Sequence, residues 1–232
     1  VIVLYIFNMP SLGYWKIRGL AQPISLLLHY VGENYDDVLY EHGDESDESL
    51  FFVAPDYSRE QWMSVKHSLG LAFPNLPYYI DGDIKVTQSN AIIRCIARKH
   101  DLLGKTEQEK VTVDVLLDQA MDFRNALVNL VYSGDYEKLK GDYFKELPQK
   151  LQGFEAFLGD KPFFTGSKIT APDFVLYELL DQHRLMKEDC LTDFPKLLAF
   201  LDRIEAEPNI KAYMASDKFI RRPVNGKMAQ FK

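Results

Sequence analysis

Apolar positions change their rhythm part-way along the chain. Up to about Lys99, short β-rich stretches alternate with helical ones. Residues 12–15 pattern as a strand, 24–30 as an amphipathic helix behind a Gly-Leu-Ala-Gln-Pro turn, and 35–40 as a second strand. Residues 78–80 and 84–86 flank Asp81-Gly82-Asp83, a hairpin loop in which glycine can take a positive φ. Residues 88–99 then repeat Ala91, Ile92, Cys95 and Ile96 at helical spacing. The predicted order is β-α-β-α-β-β-α.

Beyond a short polar connection at residues 100–106, which contains Gly104, the pattern is helical. Val113, Leu116, Leu117, Ala120, Leu127 and Val131 form a stripe at steps of three, four and seven. Acids at the head of that stripe sit where a helix dipole favours them. Thr170-Ala171-Pro172-Asp173 reads as a capping box with Asp at N3 and Pro just inside the helix. The apolar run 174–180 behind it predicts a helix buried on most faces, and 194–204 is another amphipathic helix. The expected architecture is α/β plus all-α: one domain over residues 10–99 and a helical-bundle domain over 107–216. No internal repeat or low-complexity tract interrupts it.

Composition narrows the possible functions. Of 232 residues, 47% are apolar and 26% charged, a soluble globular balance. The net charge of -7 argues against a phosphate backbone as partner, so no nucleic acid is expected. No apolar run reaches the roughly 18 residues of a membrane span. Cys95 and Cys190 are far apart and in no metal-ligand spacing, which fits a reducing, cytoplasmic compartment. His29, His42, His67, His100 and His183 show no metal spacing either and read as surface or satisfied side chains, so no metal is expected. Asp44 to Glu48 read as a solvated acidic loop. Residues 1–8 read as an upstream extension before a functional start near Met9, the alternative being an arm that adds an edge strand.

Three places carry candidate chemistry. At Asn75-Leu76-Pro77-Tyr78 a proline enters a strand, where it cannot donate to the ladder. A cis Leu76-Pro77 bond would leave the Leu76 amide and carbonyl free to pair with a peptide-like ligand; the alternative is an edge-strand proline with no ligand. Gln88-Ser89 begins a helix and offers an anion site, although spacing alone favours a plain cap by Ser89 or Asn90. Tyr14 closes the first strand. A hydroxyl there can donate to a thiolate and favour the ionised sulfur, although a strand-end Tyr is usually core or rim.

Together these runs resemble the mu-class cytosolic glutathione S-transferases. The resemblance rests on 12–21 (Leu-Gly-Tyr-Trp-Lys-Ile-Arg-Gly-Leu-Ala), 56–62, 69–83, 87–100, 119–122, 163–173 and Arg222-Pro223-Val224, and spans residues 9–232. It implies a thioredoxin-like N-terminal domain, an all-helical C-terminal domain, a homodimer, and glutathione as co-substrate. By position, Tyr14 would hydrogen-bond the glutathione sulfur and Tyr132 would assist some electrophilic additions. Trp15, Leu20, Arg59, Trp62, Lys66, Asn75, Leu76, Gln88 and Ser89 would hold glutathione beside Pro77, and Asp122 would reach the partner's site. Phe73 resembles the aromatic key inserted into the neighbouring subunit, and Arg94 and Asp114 resemble interface charges.

The chain also departs from that class. Residues 45–53 (Glu-Ser-Asp-Glu-Ser-Leu-Phe-Phe-Val) have no counterpart, although loop entropy grows slowly enough for the fold to tolerate them. The electrophile pocket expected at Ile17, His42, Asn125, Val128 and Asn225 carries polar residues where the class has apolar ones. A conjugating enzyme is the leading reading. A non-catalytic glutathione- or hydrophobic-ligand-binding relative is the alternative, and dithiol redox chemistry fails for want of a Cys-x-x-Cys pair.

Overall fold

The computed structural model describes residues 9–43 and 58–232. The expectations for residues 1–8, for the acidic cluster and insertion between 44 and 53, and for Asp56 and Tyr57 fall outside these residues.

β1 (Ser11–Trp15) is one of two inner strands of a small mixed sheet. It pairs in parallel with β2 (Asp36–Tyr40) and antiparallel with β3 (Tyr78–Asp81), beyond which lies β4 (Ile84–Thr87). A parallel β1–β2 pair needs a crossover, and α1 (Gln22–Tyr30) supplies it. Seven consecutive residues of α1, Gln22 to Leu28, are buried, because it is covered by α3 (Ser89–Lys99) and by the helical half. α2 (Glu60–Met63) is a single turn that buries only Trp62. Leu12, Gly13 and Tyr14 are all buried, as an inner strand requires. Gly13 faces Tyr78 across the ladder, and a Cβ there would lie 2.1 Å from the Tyr78 ring.

The helical half comprises α4 (Glu107–Val131), α5 (Tyr136–Leu158), α6 (Ala171–Met186), α7 (Pro195–Ala206) and α8 (Pro208–Met214). α4 opens with a capping box: the Glu109 amide donates to Thr106 Oγ1, and Glu109 accepts from the Thr106 amide. α6 is the inner helix, buried from Ala171 through His183. Its start is fixed by Asp173, whose carboxylate accepts from the Thr170 amide at 2.7 Å, the Thr170 hydroxyl at 2.9 Å and the Phe164 amide at 2.9 Å. Burial pushes the Asp173 carboxyl up to about 6 while those donors pull it down.

The halves are joined by charge as well as apolar contact. Arg18, in the loop after β1, is buried and forms a fork with Glu178 on α6 at 2.9 and 2.6 Å. It also reaches Asp181 at 2.6 Å. Arg184 extends the network from Asp181 to Glu205 on α7. The segment after α8 then crosses back over the seam. Pro223 and Val224 carbonyls accept from the Arg18 and Gly19 amides, both at 3.0 Å, and the Gln230 amide donates to Val131 O at 2.7 Å.

Candidate active site

The β1–α1 loop, the end of β2, the residues just before α2, the end of α4 and the C-terminal segment converge on one cavity of about 360 Å³. Tyr14, Trp15, Ile17, His42, Arg59 and Tyr132 line it, together with Gly226, Lys227 and Met228. Six of the residues singled out in the sequence therefore share one wall system.

Tyr14 is buried, and its hydroxyl accepts the Leu20 amide at 3.1 Å. An oxygen that already accepts an N–H keeps its one proton for another partner. Burial raises the Tyr14 phenol above its ordinary value, while the Leu20 amide and the Arg124 charge pull it back, so it is a protonated donor at neutral pH. Gly19, at φ 43°, makes room: a Cβ there would lie 2.6 Å from the Tyr14 hydroxyl. Tyr132, the C-cap residue of α4, repeats the arrangement. Its hydroxyl accepts the Gly226 amide at 2.7 Å, and its own proton is left to donate.

His42 stacks on Trp15 with ring centroids 4.2 Å apart. Burial holds its pKa below the usual value, helped by Lys227 and Arg59, so the ring is neutral at pH 7. Lys227 Nζ donates to the Gly43 carbonyl at 3.0 Å, tying the C-terminal segment to the end of β2. Behind Trp15, Trp62 is buried in an aromatic group with Tyr40 and Tyr78.

On the α3 side, the Leu76-Pro77 bond is cis. The Leu76 amide is not free, because it donates to Asn75 Oδ1 at 2.9 Å. A ligand strand would have to displace that short side-chain contact first. The expected plain cap at α3 is absent: Gln88 is the N-cap residue, at φ 73°, and no side chain caps the turn. Ser89 is buried at the first helical position, and the Asn90 amide group donates to Leu117 O instead. The open N–H groups of α3 thus remain for an anion. A non-glycine residue in that conformation costs about 1–3 kcal/mol and marks functional sites. Lys66 is half-buried, and Arg59 and Asn75 are exposed.

Other expectations separate from this cluster. Asn225 is buried, and its amide group donates to Phe231 O at 3.1 Å, so it braces the C-terminal segment. It lines, with Ile17 and His42, a neighbouring cavity of about 300 Å³. Asn125 is exposed and Val128 half-buried, and neither lines the Tyr14 cavity. Asp122 is exposed on another face of α4, where it lines a cavity of about 440 Å³ between α4 and α5. Arg94 is paired within the chain to Asp114 at 2.8 Å and Asp118 at 3.3 Å. Phe73 is 79% exposed. Sequence reasoning passed over Arg124, a cation in an apolar stripe beside Tyr14; its position in that stripe was the available signal.

Profiles described as the glutathione S-transferase N-terminal and C-terminal domains match residues 10–98 and 121–217. The human protein glutathione S-transferase Mu 3 is 50% identical over 220 residues, 95% of this chain and 94% of its own length. The chain belongs to the glutathione S-transferase family. Rabbit glutathione S-transferase Mu 1 is 52% identical over 214 residues, 92% of this chain and 94% of its own, and these relatives place the chain in the mu class. Among solved structures, the glutathione S-transferase Blo t 8 superposes with a TM-score of 0.84 at 31% identity, covering 95% of this chain and 99% of its own. A pi-class glutathione S-transferase of Onchocerca volvulus gives 0.81 at 31% identity, covering 96% and 100%. The small mixed sheet with its helices is thus the thioredoxin-like half of a glutathione S-transferase, and α4–α8 the helical half.

Proposed function

We propose that this chain joins the glutathione thiolate to small hydrophobic electrophiles, with Tyr14 as the donor that holds the reacting sulfur. The observation that carries the assignment is the Tyr14 hydroxyl, buried at the cavity wall with its acceptor side taken by the Leu20 amide. A thiol of pKa about 8.5 is mostly protonated at pH 7, and a hydrogen bond to its ionised form raises the nucleophilic fraction. With an aryl chloride, the thiol proton passes to solvent, the sulfur–carbon bond forms, and chloride leaves with the bonding pair. Tyr132 stands across the cavity to donate to charge developing on the acceptor.

The glutathione backbone is assigned to Trp15, Leu20, Arg59, Trp62, Lys66, Asn75, Leu76, Pro77, Gln88 and Ser89, with a carboxylate at the uncapped start of α3. The electrophile is assigned to the space by Ile17, His42 and Tyr132, with Met228, 61% exposed, at its edge. Residues 10–99 serve as the glutathione domain and 107–216 as the domain adding the electrophile side. The working unit is a homodimer: Phe73 stands out from the surface, and the cavity between α4 and α5, walled by Val115, Phe154 and Phe157, fits an aromatic key. Asp122 at that cavity would then serve the partner's site. The compartment is cytoplasmic; among the described residues no helix is long and apolar enough to cross a membrane.

Tyr14→Phe tests the assignment. Loss of one donor to developing charge costs about 100-fold in rate. We expect that fall in glutathione conjugation of a chloronitrobenzene, with the KM for glutathione nearly unchanged. Equal activity of mutant and wild type at every pH removes Tyr14 from the role. Capture of the wild type on immobilised glutathione without turnover replaces the enzyme by a binding protein.

A further inference from the structure

Hydrogen-bonding capacity around the Tyr14 cavity is one-sided. The Tyr14 hydroxyl already accepts the Leu20 amide and the Tyr132 hydroxyl accepts the Gly226 amide, so both are left to donate. The Trp15 indole, the Arg59 guanidinium and the Lys227 ammonium carry donors and no acceptor. Ile17 carries neither, and the Met228 sulfur accepts only weakly. Among the described residues that line this cavity, His42 is the one side chain with a strong acceptor to offer, an imidazole lone pair.

The ring is held in place before any ligand arrives. One of its faces lies on Trp15, with centroids 4.2 Å and planes 24° apart. The lone pair lies in the ring plane, so stacking leaves it open. Neither ring nitrogen has a hydrogen-bond partner among the described residues, and neither is sealed from solvent. The backbone on each side is tied down: the Glu41 amide donates to Gln61 Oε1 at 2.8 Å and the Gly43 amide to Ser58 O at 3.1 Å. A group fixed in advance loses little entropy when it binds. Burial, Lys227 and Arg59 all favour the neutral ring, the form that keeps the lone pair. The ring also borders the neighbouring cavity of about 300 Å³, where the titratable groups are Lys16, Tyr40, Glu41, Lys227 and Lys232. Glu41 is bonded there to Lys16 at 2.6 Å, which holds its carboxyl below the usual range.

We propose that His42 selects the electrophile: its open imidazole nitrogen accepts a hydrogen bond from the substrate, so this site favours electrophiles that carry a hydroxyl or N–H group. The inference rests on the function proposed above and names the substrate class of that same site. An apolar side chain in this place would hold the carbon skeleton and discriminate poorly between a hydroxyl and its apolar replacement. The bond-making step is unchanged. With a chlorodinitrobenzyl alcohol the sulfur–carbon bond forms, chloride leaves with the bonding pair and the thiol proton passes to solvent, while His42 holds the alcohol proton without removing it.

The test compares that alcohol with its methyl ether, each kcat/KM being divided by the uncatalysed rate with glutathione. The ether keeps the oxygen and the leaving group and lacks the donor. One hydrogen bond should favour the alcohol about fivefold at pH 7. In His42→Phe, which keeps the stack on Trp15, the ratio should fall to about one. In His42→Gln, whose amide oxygen accepts, it should stay on the side of the alcohol. Wild type carries a second readout. As pH falls below 7 the ring takes up a proton and loses its lone pair, so the ratio declines; in both variants it is flat with pH, because neither new side chain titrates. A purely structural role would lower both rates together and leave the ratio untouched. The inference is overturned by equal wild-type rates for the two compounds or by a Phe variant that keeps the wild-type ratio. It is overturned equally by a wild-type ratio as flat with pH as that of the Gln variant. A wild type that conjugates neither compound fails the proposed function as well; one that conjugates both alike fails this inference alone.

Discussion

At the scale of single residues, the chemistry depends on which atoms are already occupied. Tyr14 and Tyr132 each accept a backbone N–H and keep a proton to donate. Their identities were legible in the sequence; their state was not, because Leu20 and Gly226 supply it from other segments. The same limit explains Leu76, whose amide is taken by the side chain next to it. Asn225 lines a cavity with Ile17 and His42, and its amide group is already committed to Phe231 O in the C-terminal segment. His183 shows a buried residue with a measurable consequence. Nδ1–H donates to Leu179 O at 2.7 Å, Nε2 accepts from the Tyr143 hydroxyl at 2.6 Å, and burial pushes the pKa to about 4. The unfolded chain takes up this proton near pH 6.5, before the folded one does. Stability from His183 is therefore full above about pH 6.5 and is lost as pH falls towards about 4. Asp173, with its raised carboxyl, works in the opposite direction over much of that range, so the comparison must be by difference. Between about pH 7 and pH 4, wild type should lose about 3 kcal/mol more than His183→Gln in urea unfolding. Equal losses would show that the buried ring does not resist protonation.

Among elements, periodicity was a reliable guide. β1, β3, β4, α3 and α4 lie where the sequence pattern put them, the two helices because each buries one face against a neighbour. The capping box at α6 was also readable, since its residues are adjacent in sequence. The ion network that docks the β1–α1 loop on α6 was not, since Arg18 and Glu178 are 160 positions apart. Nothing local marks either as buried. Removing Arg18 would leave two carboxylates in an apolar seam, which costs about 3–5 kcal/mol. Arg18→Met should lower the urea stability by that amount, and adding Glu178→Gln should recover part of it. If the second change lowers stability further, the cost does not come from the stranded charge.

For the whole molecule, the proposed dimer would set the exposed Phe73 of one subunit into the α4–α5 cavity of the other. Phe73→Ser should convert a dimer to a monomer in sedimentation velocity; an unchanged dimer would move the interface elsewhere. The segment after α8 ties the two halves by backbone groups at Pro223, Val224, Gly226 and Gln230. None of these hydrogen bonds depends on a side chain of that segment, while Met228 from the same stretch lines the Tyr14 cavity. The segment behaves like a fixed handle with interchangeable teeth. Substitutions at Met228 can retune which electrophiles are accepted while the glutathione half keeps its shape, so in this architecture substrate range can drift faster than the fold that carries it.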